Sequence, residues 1–176
     1  VIGANEGSGS LDNDNNLGKL VVIEGIQPAS DATITIRVKP GPNNTQWAQF
    51  FGINAMILLP EGSPIPVEPN DFVLEEPIYL DFGLRAASSP FYFWERPDDV
   101  PHFNLPDQNG VNTGIAMSIT ARFNGENQSG VLNNTLGYPQ DVSVDAFWSN
   151  RDNRESGFTI YRLNSTMKYQ LITPTL

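Results

Sequence analysis

The side chains that perform most covalent and acid–base chemistry near neutral pH are scarce in this sequence. Its 176 residues include no cysteine and a single histidine, His102. The GxSxG pattern that marks a nucleophilic serine on a strained turn is absent. His102 lies in a proline-rich segment, which favours a solvated side chain without a catalytic partner. We therefore predict no catalytic residue and no enzymatic activity.

Paired carboxylates are another route to acid–base chemistry, as in glycoside hydrolysis. Among the 20 acidic residues, the candidates for such a pair are Glu75–Glu76, Asp81, Glu95 and Asp98–Asp99. Nothing in their spacing along the chain sets two of them at the separation that such a reaction needs. We interpret these residues as surface acids on loops and edge strands.

Asp12, Asp14 and Asn16 have a D-x-D-x-N spacing that could direct three oxygen atoms at one calcium ion. An EF-hand would have glycine at the sixth position of this loop and glutamate at the twelfth. Leu17 and Ile23 occupy those positions, so the segment is not an EF-hand. Asp and Asn also favour turns, which explains the segment without a metal. We predict no cofactor, with calcium at Asp12, Asp14 and Asn16 as the alternative.

Two groups of aromatic residues could contact a partner. Trp47 belongs to the first, and residues 91–94 (FYFW) form the second. Successive side chains of a strand point to opposite faces, so Tyr92 and Trp94 would lie together, opposite two phenylalanines on the core face. We predict that Tyr92, Trp94 and Trp47 contact a neighbouring subunit or stack on a glycan. If both faces of the strand are covered, all four aromatics are core residues.

Four Asn-x-Ser/Thr sequons mark candidate glycosylation sites at Asn43, Asn127, Asn133 and Asn164. All four fall in predicted loops, where the modification requires exposure. They matter only in a source that glycosylates its proteins.

The net charge of the chain limits the kinds of partner that it can bind. The formal net charge is −10, and the three lysines, at positions 19, 39 and 168, are widely spaced. Binding to nucleic acid requires clustered Lys and Arg that neutralise phosphates. A membrane span requires about 18 consecutive apolar residues, which the sequence lacks. We predict neither nucleic-acid binding nor membrane insertion.

Short alternating apolar and polar runs recur along the chain, between clusters of Pro, Gly and Asn. In the clearest run, 113–123, every second residue is suited to the core. The 14 prolines exclude helices of normal length and allow at most a short turn near 97–105 or 133–138. We predict strands at 19–24, 32–39, 47–59, 72–74, 78–84, 91–94, 113–123, 142–148, 158–163 and 168–173. The predicted core contains Ile34, Ile36, Val38, Ile115, Met117, Ile119, Phe123, Val142 and Val144.

This pattern predicts an all-β protein with under about 10% helix and two packed antiparallel sheets. The long connections at 60–77 and 95–112 favour a Greek-key jelly roll. An immunoglobulin-like sandwich is the alternative, although its Cys…Trp…Cys signature is absent. We predict an N-terminal arm at 1–18 and a single β-sandwich domain at 19–176.

These features favour a non-catalytic structural subunit of an extracellular, cell-surface or virion assembly, such as a capsid, coat or surface-filament subunit. Residues 1–18 contain few apolar side chains and therefore need an external surface to become ordered. We expect the arm to pack on copies of the same chain or on other subunits of the assembly. The alternative is a carbohydrate-binding module or lectin-like domain that uses its exposed aromatic residues.

Overall fold

The computed structural model describes residues 20–41, 44–45, 47–61, 74–95, 101–128, 138–153 and 155–174. These residues are 47% strand and 4% helix, in three sheets of which none closes into a barrel. The prediction of an all-β protein is confirmed. The strands and helix are β1 (Leu20–Ile26), β2 (Ile34–Val38), β3 (Phe51–Ile53), β4 (Ala55–Glu61), β5 (Ile78–Phe82), β6 (Phe91–Trp94), β7 (Ala116–Ala121), β8 (Gly125–Asn127), α1 (Gln140–Val144), β9 (Ala146–Ser149), β10 (Ser156–Tyr161) and β11 (Lys168–Pro174).

The largest sheet has five strands in the order β1-β11-β4-β5-β6. Two three-stranded sheets have the orders β2-β10-β7 and β3-β9-β8. Strand pairing is antiparallel throughout the named strands, except between β5 and β6, which are parallel. The prediction of two purely antiparallel sheets is therefore corrected to three sheets with one parallel pair.

Of the predicted strand at 72–74 only Leu74 is described, and it lies outside the observed strands. Two other predicted strands differ from the observed ones. The run at 47–59 forms two strands that are separated at Asn54, whose backbone carbonyl accepts the N–H of Phe82. The run at 142–148 begins in helix α1, and only its second half is strand β9. The N–H of Val142 bonds the carbonyl of Pro139, and Val142, Ser143 and Val144 are all buried. Three consecutive buried residues are incompatible with a strand that faces solvent on one side.

The main hydrophobic core draws residues from all three sheets. Phe82 of the five-stranded sheet stacks on Phe158 of β10, with ring centroids 4.8 Å apart, and also contacts Phe147 of β9. Nearly all of the predicted core is confirmed as buried, namely Ile34, Ile115, Met117, Ile119, Phe123, Val142 and Val144. Ile36 and Val38 are only partly buried but pack against the same cluster.

A smaller apolar cluster lies apart from the main core. It consists of Ala55, Phe91 and Val142, with Tyr79, Ala87 and Tyr138 packed against it. These residues link β4, β5 and β6 to α1 and to the connection between β5 and β6. Within the described ranges, no helix has the length and apolar character needed to cross a membrane.

Candidate functional site

The first strand, β1, lies at one edge of the five-stranded sheet. It pairs with β11 and has no other strand neighbour among the described residues. Val22 is 39% exposed, and Glu24 is the one charged residue of the strand. The pairing is irregular between Ile23 and Ile26, where Gly25 has a positive φ of 70°. Residues 20–23 therefore present a regular strand edge close to the predicted arm at 1–18, which lies outside the described residues.

Trp47 lies on the surface with 75% of its area exposed. The guanidinium carbon of Arg151 lies 5.5 Å from the centroid of its indole ring. Arg151 also donates from Nη1 to the carbonyl of Trp47, at 3.1 Å, and from its backbone N–H to the carbonyl of Ala48, at 2.8 Å. These bonds fix the turn that carries Trp47 against the 150–153 turn. The indole is therefore held in place while most of its surface stays accessible.

The aromatic strand β6 is covered on both faces, which is the alternative to the prediction, since Phe91 on the other face is buried in the smaller apolar cluster. Trp94 is fully buried in the main core, and Tyr92 is half-buried against it. Pairing with β5 places Trp94 beside Phe82, a core residue, which fixes that face of β6 inward. The pairing of Tyr92 with Trp94 on one face is correct. The prediction that this face is exposed is wrong, and Trp94 cannot contact a partner or a glycan in this fold.

His102 packs between two of these aromatic residues. Its ring stacks on that of Trp94, with centroids 3.9 Å apart, and its Nδ1 lies 3.1 Å from the hydroxyl of Tyr92. Its backbone forms a two-bond bridge to Met117 of β7. The expectation of a solvated histidine is therefore wrong, because the side chain is part of the packing around Trp94.

The structure places two of the four sequons. Asn127 ends β8 and is half-buried. Asn164 is 1% exposed, and its Oδ1 accepts hydrogen bonds from the N–H and the hydroxyl of Thr166. The predicted exposure of Asn164 is wrong, because its side chain shapes a turn inside the fold and leaves no room for a glycan. Asn43 and Asn133 lie outside the described residues.

The predicted calcium ligands Asp12, Asp14 and Asn16 also lie outside the described residues. Among the residues that the structure describes, no group of three or more His, Cys, Asp or Glu side chains could hold a metal ion.

Two buried carboxylates, of Asp81 and Asp145, are a feature that the sequence analysis missed. Both residues have no exposed surface. Oδ2 of Asp145 accepts the N–H groups of Leu84 and Arg85, each at 2.6 Å. Oδ2 of Asp81 accepts the N–H of Ala87 at 3.1 Å. The interpretation of Asp81 as a surface acid is therefore wrong: the two side chains bind the backbone of the connection between β5 and β6.

Gly83 allows this arrangement. A Cβ atom at that position would overlap the carboxylate of Asp145. The carboxylate of Asp145 thus lies directly against the backbone of Gly83. Its Oδ2 atom accepts the N–H groups of the next two residues, Leu84 and Arg85. A sequence signal for both acids existed, because each interrupts an apolar run, IYLDF at 78–82 and VDAF at 144–147.

Burial raises the pKa of both acids. Loss of solvation raises the pKa of Asp81 from 3.8 to about 7; the hydrogen bond from Ala87 opposes the rise, and the charges of Asp145 and Asp141 add to it. Loss of solvation also raises the pKa of Asp145, against the two N–H bonds and the charge of Arg85. Neither side chain is accessible to a substrate in this fold.

No protein-family model, curated protein sequence or solved structure matches this chain.

Proposed function

We propose that the protein is a non-catalytic structural subunit of an extracellular or virion assembly and acts by packing against copies of itself. The observation that carries this proposal is the edge of β1, which no described strand covers. An edge strand presents backbone N–H and C=O groups that can pair with a strand of another chain. Natural edges are commonly blunted by lysine, proline or a bulge. Residues 20–23 contain neither lysine nor proline, and the bulge begins only after them.

The arm is the segment proposed to occupy such an edge. Eighteen residues span up to about 60 Å when extended, at about 3.3 Å per residue. This exceeds the diameter of about 40 Å expected for a domain of this size. The arm of one subunit can therefore reach the β1 edge of another. A backbone-paired arm also needs few apolar side chains of its own, which agrees with its Gly-, Ser- and Asn-rich sequence.

A finer architecture belongs to this proposal. The main core joins the five-stranded sheet to residues of both smaller sheets, as expected for a sandwich in which the large sheet packs on the two small ones. We propose this sandwich, in jelly-roll form, as the architecture of the subunit. An experimental structure of the assembled protein tests it.

The test of assembly uses a deletion and two matched lysine substitutions. Val22→Lys places a charge on the β1 edge, and Val111→Lys places the same charge at another exposed valine, which is 60% exposed. Light scattering after size-exclusion chromatography, with negative-stain microscopy, measures assembly. Circular dichroism verifies that each variant is folded.

We expect the full chain and Val111→Lys to form particles or filaments. We expect the 1–18 deletion and Val22→Lys to remain folded. Their mass in solution by light scattering should be lower than that of the assembled full chain. The proposal fails if the full chain is a monomer at high concentration, or if the deletion assembles as the full chain does.

Trp47 favours a second candidate function, glycan binding. An exposed indole that is held from one side by an arginine resembles the aromatic platforms on which sugar rings stack. Screening of the protein on a glycan array, with Trp47→Ala as the test variant, examines this function. Phe103→Ala is the matched control, because Phe103 is 59% exposed and also lies near an arginine, Arg162. Glycan binding is supported by signals that Trp47→Ala loses and Phe103→Ala keeps.

A further inference from the structure

The connection between β5 and β6 is held by carboxylates at two points. Residues 83–87, called the 83–87 loop below, donate the N–H groups of Leu84 and Arg85 to Asp145 and that of Ala87 to Asp81. Asp81 belongs to β5 and Asp145 follows α1. The loop is therefore attached to two different elements through acids that no solvent reaches.

The two carboxylates are not equivalent. Asp145 receives two short hydrogen bonds on one oxygen and lies near the charge of Arg85. Asp81 receives one longer bond and lies near no such charge, whereas the Oδ1 atoms of both carboxylates are buried without a hydrogen-bond partner among the described residues. A buried carboxylate with few donors is more stable as the neutral acid. Asp81 is therefore the member of the pair that holds a proton.

The neighbours of Asp81 reinforce this difference. Ala55 of β4 and Phe93 of β6 flank it in the sheet and carry no charge. The charged groups that act on it are Asp145 and Asp141, both negative. Arg85 is the cation that acts on the pair, and it acts on Asp145. Ionisation of Asp81 would thus bury a second negative charge beside the first.

We propose that Asp81 and Asp145 form a proton-dependent latch on the 83–87 loop: a proton on Asp81 favours the closed loop, and loss of that proton favours local opening. When the loop opens, water reaches the new charge on Asp81 and solvates it in place of the single N–H donor of Ala87. Leu84 is 42% exposed, and Arg85 is also exposed, so this part of the loop lies at the surface and can move without opening the core.

The direction of the pH response follows from the two protonation states. Between the ordinary pKa of 3.8 and about 7, the closed form binds a proton that a solvated, open form has lost. Each increase of one pH unit in this range therefore raises the open fraction about tenfold. Above about pH 7 both forms are ionised, and the open fraction becomes constant.

Amide hydrogen exchange measured by NMR on the full chain tests the latch. We expect the protection factors of the Leu84, Arg85 and Ala87 amides to fall about tenfold per pH unit between pH 5 and pH 7, after correction for intrinsic exchange, and then to level off. Asp81→Asn, which keeps an acceptor for the Ala87 N–H, should abolish this slope. Asp152→Asn, a surface control, should retain it.

Three results would overturn the proposal. The first is a pH-independent protection of the loop amides in the unmodified protein, which requires no variant. The second is a protection factor of the loop amides as high as that of the amide of Met117, which bonds His102, because it would mean that the loop opens only in global unfolding. The third is loss of the slope on addition of calcium chloride alone, because it would mean that the pair takes a cation in place of a proton.

Discussion

Replacing Asp81 by asparagine should remove most of the pH dependence of the free energy of unfolding between pH 4 and pH 7. The pKa of Asp81 is raised from 3.8 to about 7 in the folded protein. In this range the folded state binds a proton that the unfolded state has lost, so the free energy of unfolding falls as the pH rises. The loss begins near pH 4 and is complete slightly above pH 7.

The magnitude follows from the same pKa values. Each unit of pKa difference corresponds to about 1.4 kcal/mol, so Asp81 destabilises the ionised protein by about 4 kcal/mol relative to acidic pH. Asparagine is nearly isosteric, accepts the same N–H of Ala87 and has no charge. We expect Asp81→Asn to be more stable than the unmodified protein by about 2–4 kcal/mol at pH 8, and to differ from it by less than about 1 kcal/mol at pH 4.

Urea unfolding at each pH from 4 to 8, followed by tryptophan fluorescence, measures this difference. Trp94 is a suitable reporter, because it is fully buried when the protein is folded. Asp152→Asn is the control, since the side chain of Asp152 is 80% exposed and its removal should leave the pH dependence unchanged. Parallel stability curves for Asp81→Asn and the unmodified protein would refute the assignment of the proton to Asp81.

Three further predictions use the same unfolding assay or a melting curve. Gly83→Ala should destabilise the protein by about 2–4 kcal/mol, because its methyl group displaces Asp145 from two charge-assisted hydrogen bonds; a loss below about 0.5 kcal/mol would contradict this geometry. Ile119→Ala should lose about 2–5 kcal/mol, because Ile119 is 4% exposed in the main core, whereas Val111→Ala at the surface should lose little. An excess of chelator should leave the melting temperature unchanged, and a clear decrease would instead support calcium at Asp12, Asp14 and Asn16.

The sequence predicted those parts of the fold that local alternation determines. β2 and β7 alternate β-branched or apolar residues with polar ones, and both form strands within the predicted runs. The pairing of strands could not be predicted in this way, because it depends on contacts between residues that are far apart in the sequence. The parallel pairing of β5 with β6 has no signature in either strand alone, so the sheet organisation could not be predicted.

The candidate site shows the same limit. Alternation correctly placed Tyr92 and Trp94 on one face of β6, but the identity of the buried face depends on register with Phe82. The same error occurred for Asp81, which was assigned to the surface because acids are usually exposed. Its position within an apolar run carried the contrary signal, and the raised pKa of Asp81, together with the N–H bond from Ala87, explains how an acid can be buried there.

The two proposals concern opposite edges of the five-stranded sheet. β1 forms one edge, whereas the 83–87 loop leads into β6 at the other edge, with β11, β4 and β5 between them. Substitutions at sites that share no neighbours generally have independent effects. Val22→Lys should therefore leave the pH slope of the Leu84 amide unchanged, and Asp81→Asn should leave assembly at constant pH unchanged. If either variant altered both properties, the latch and the strand edge would be coupled through the sheet, and neither could be interpreted alone.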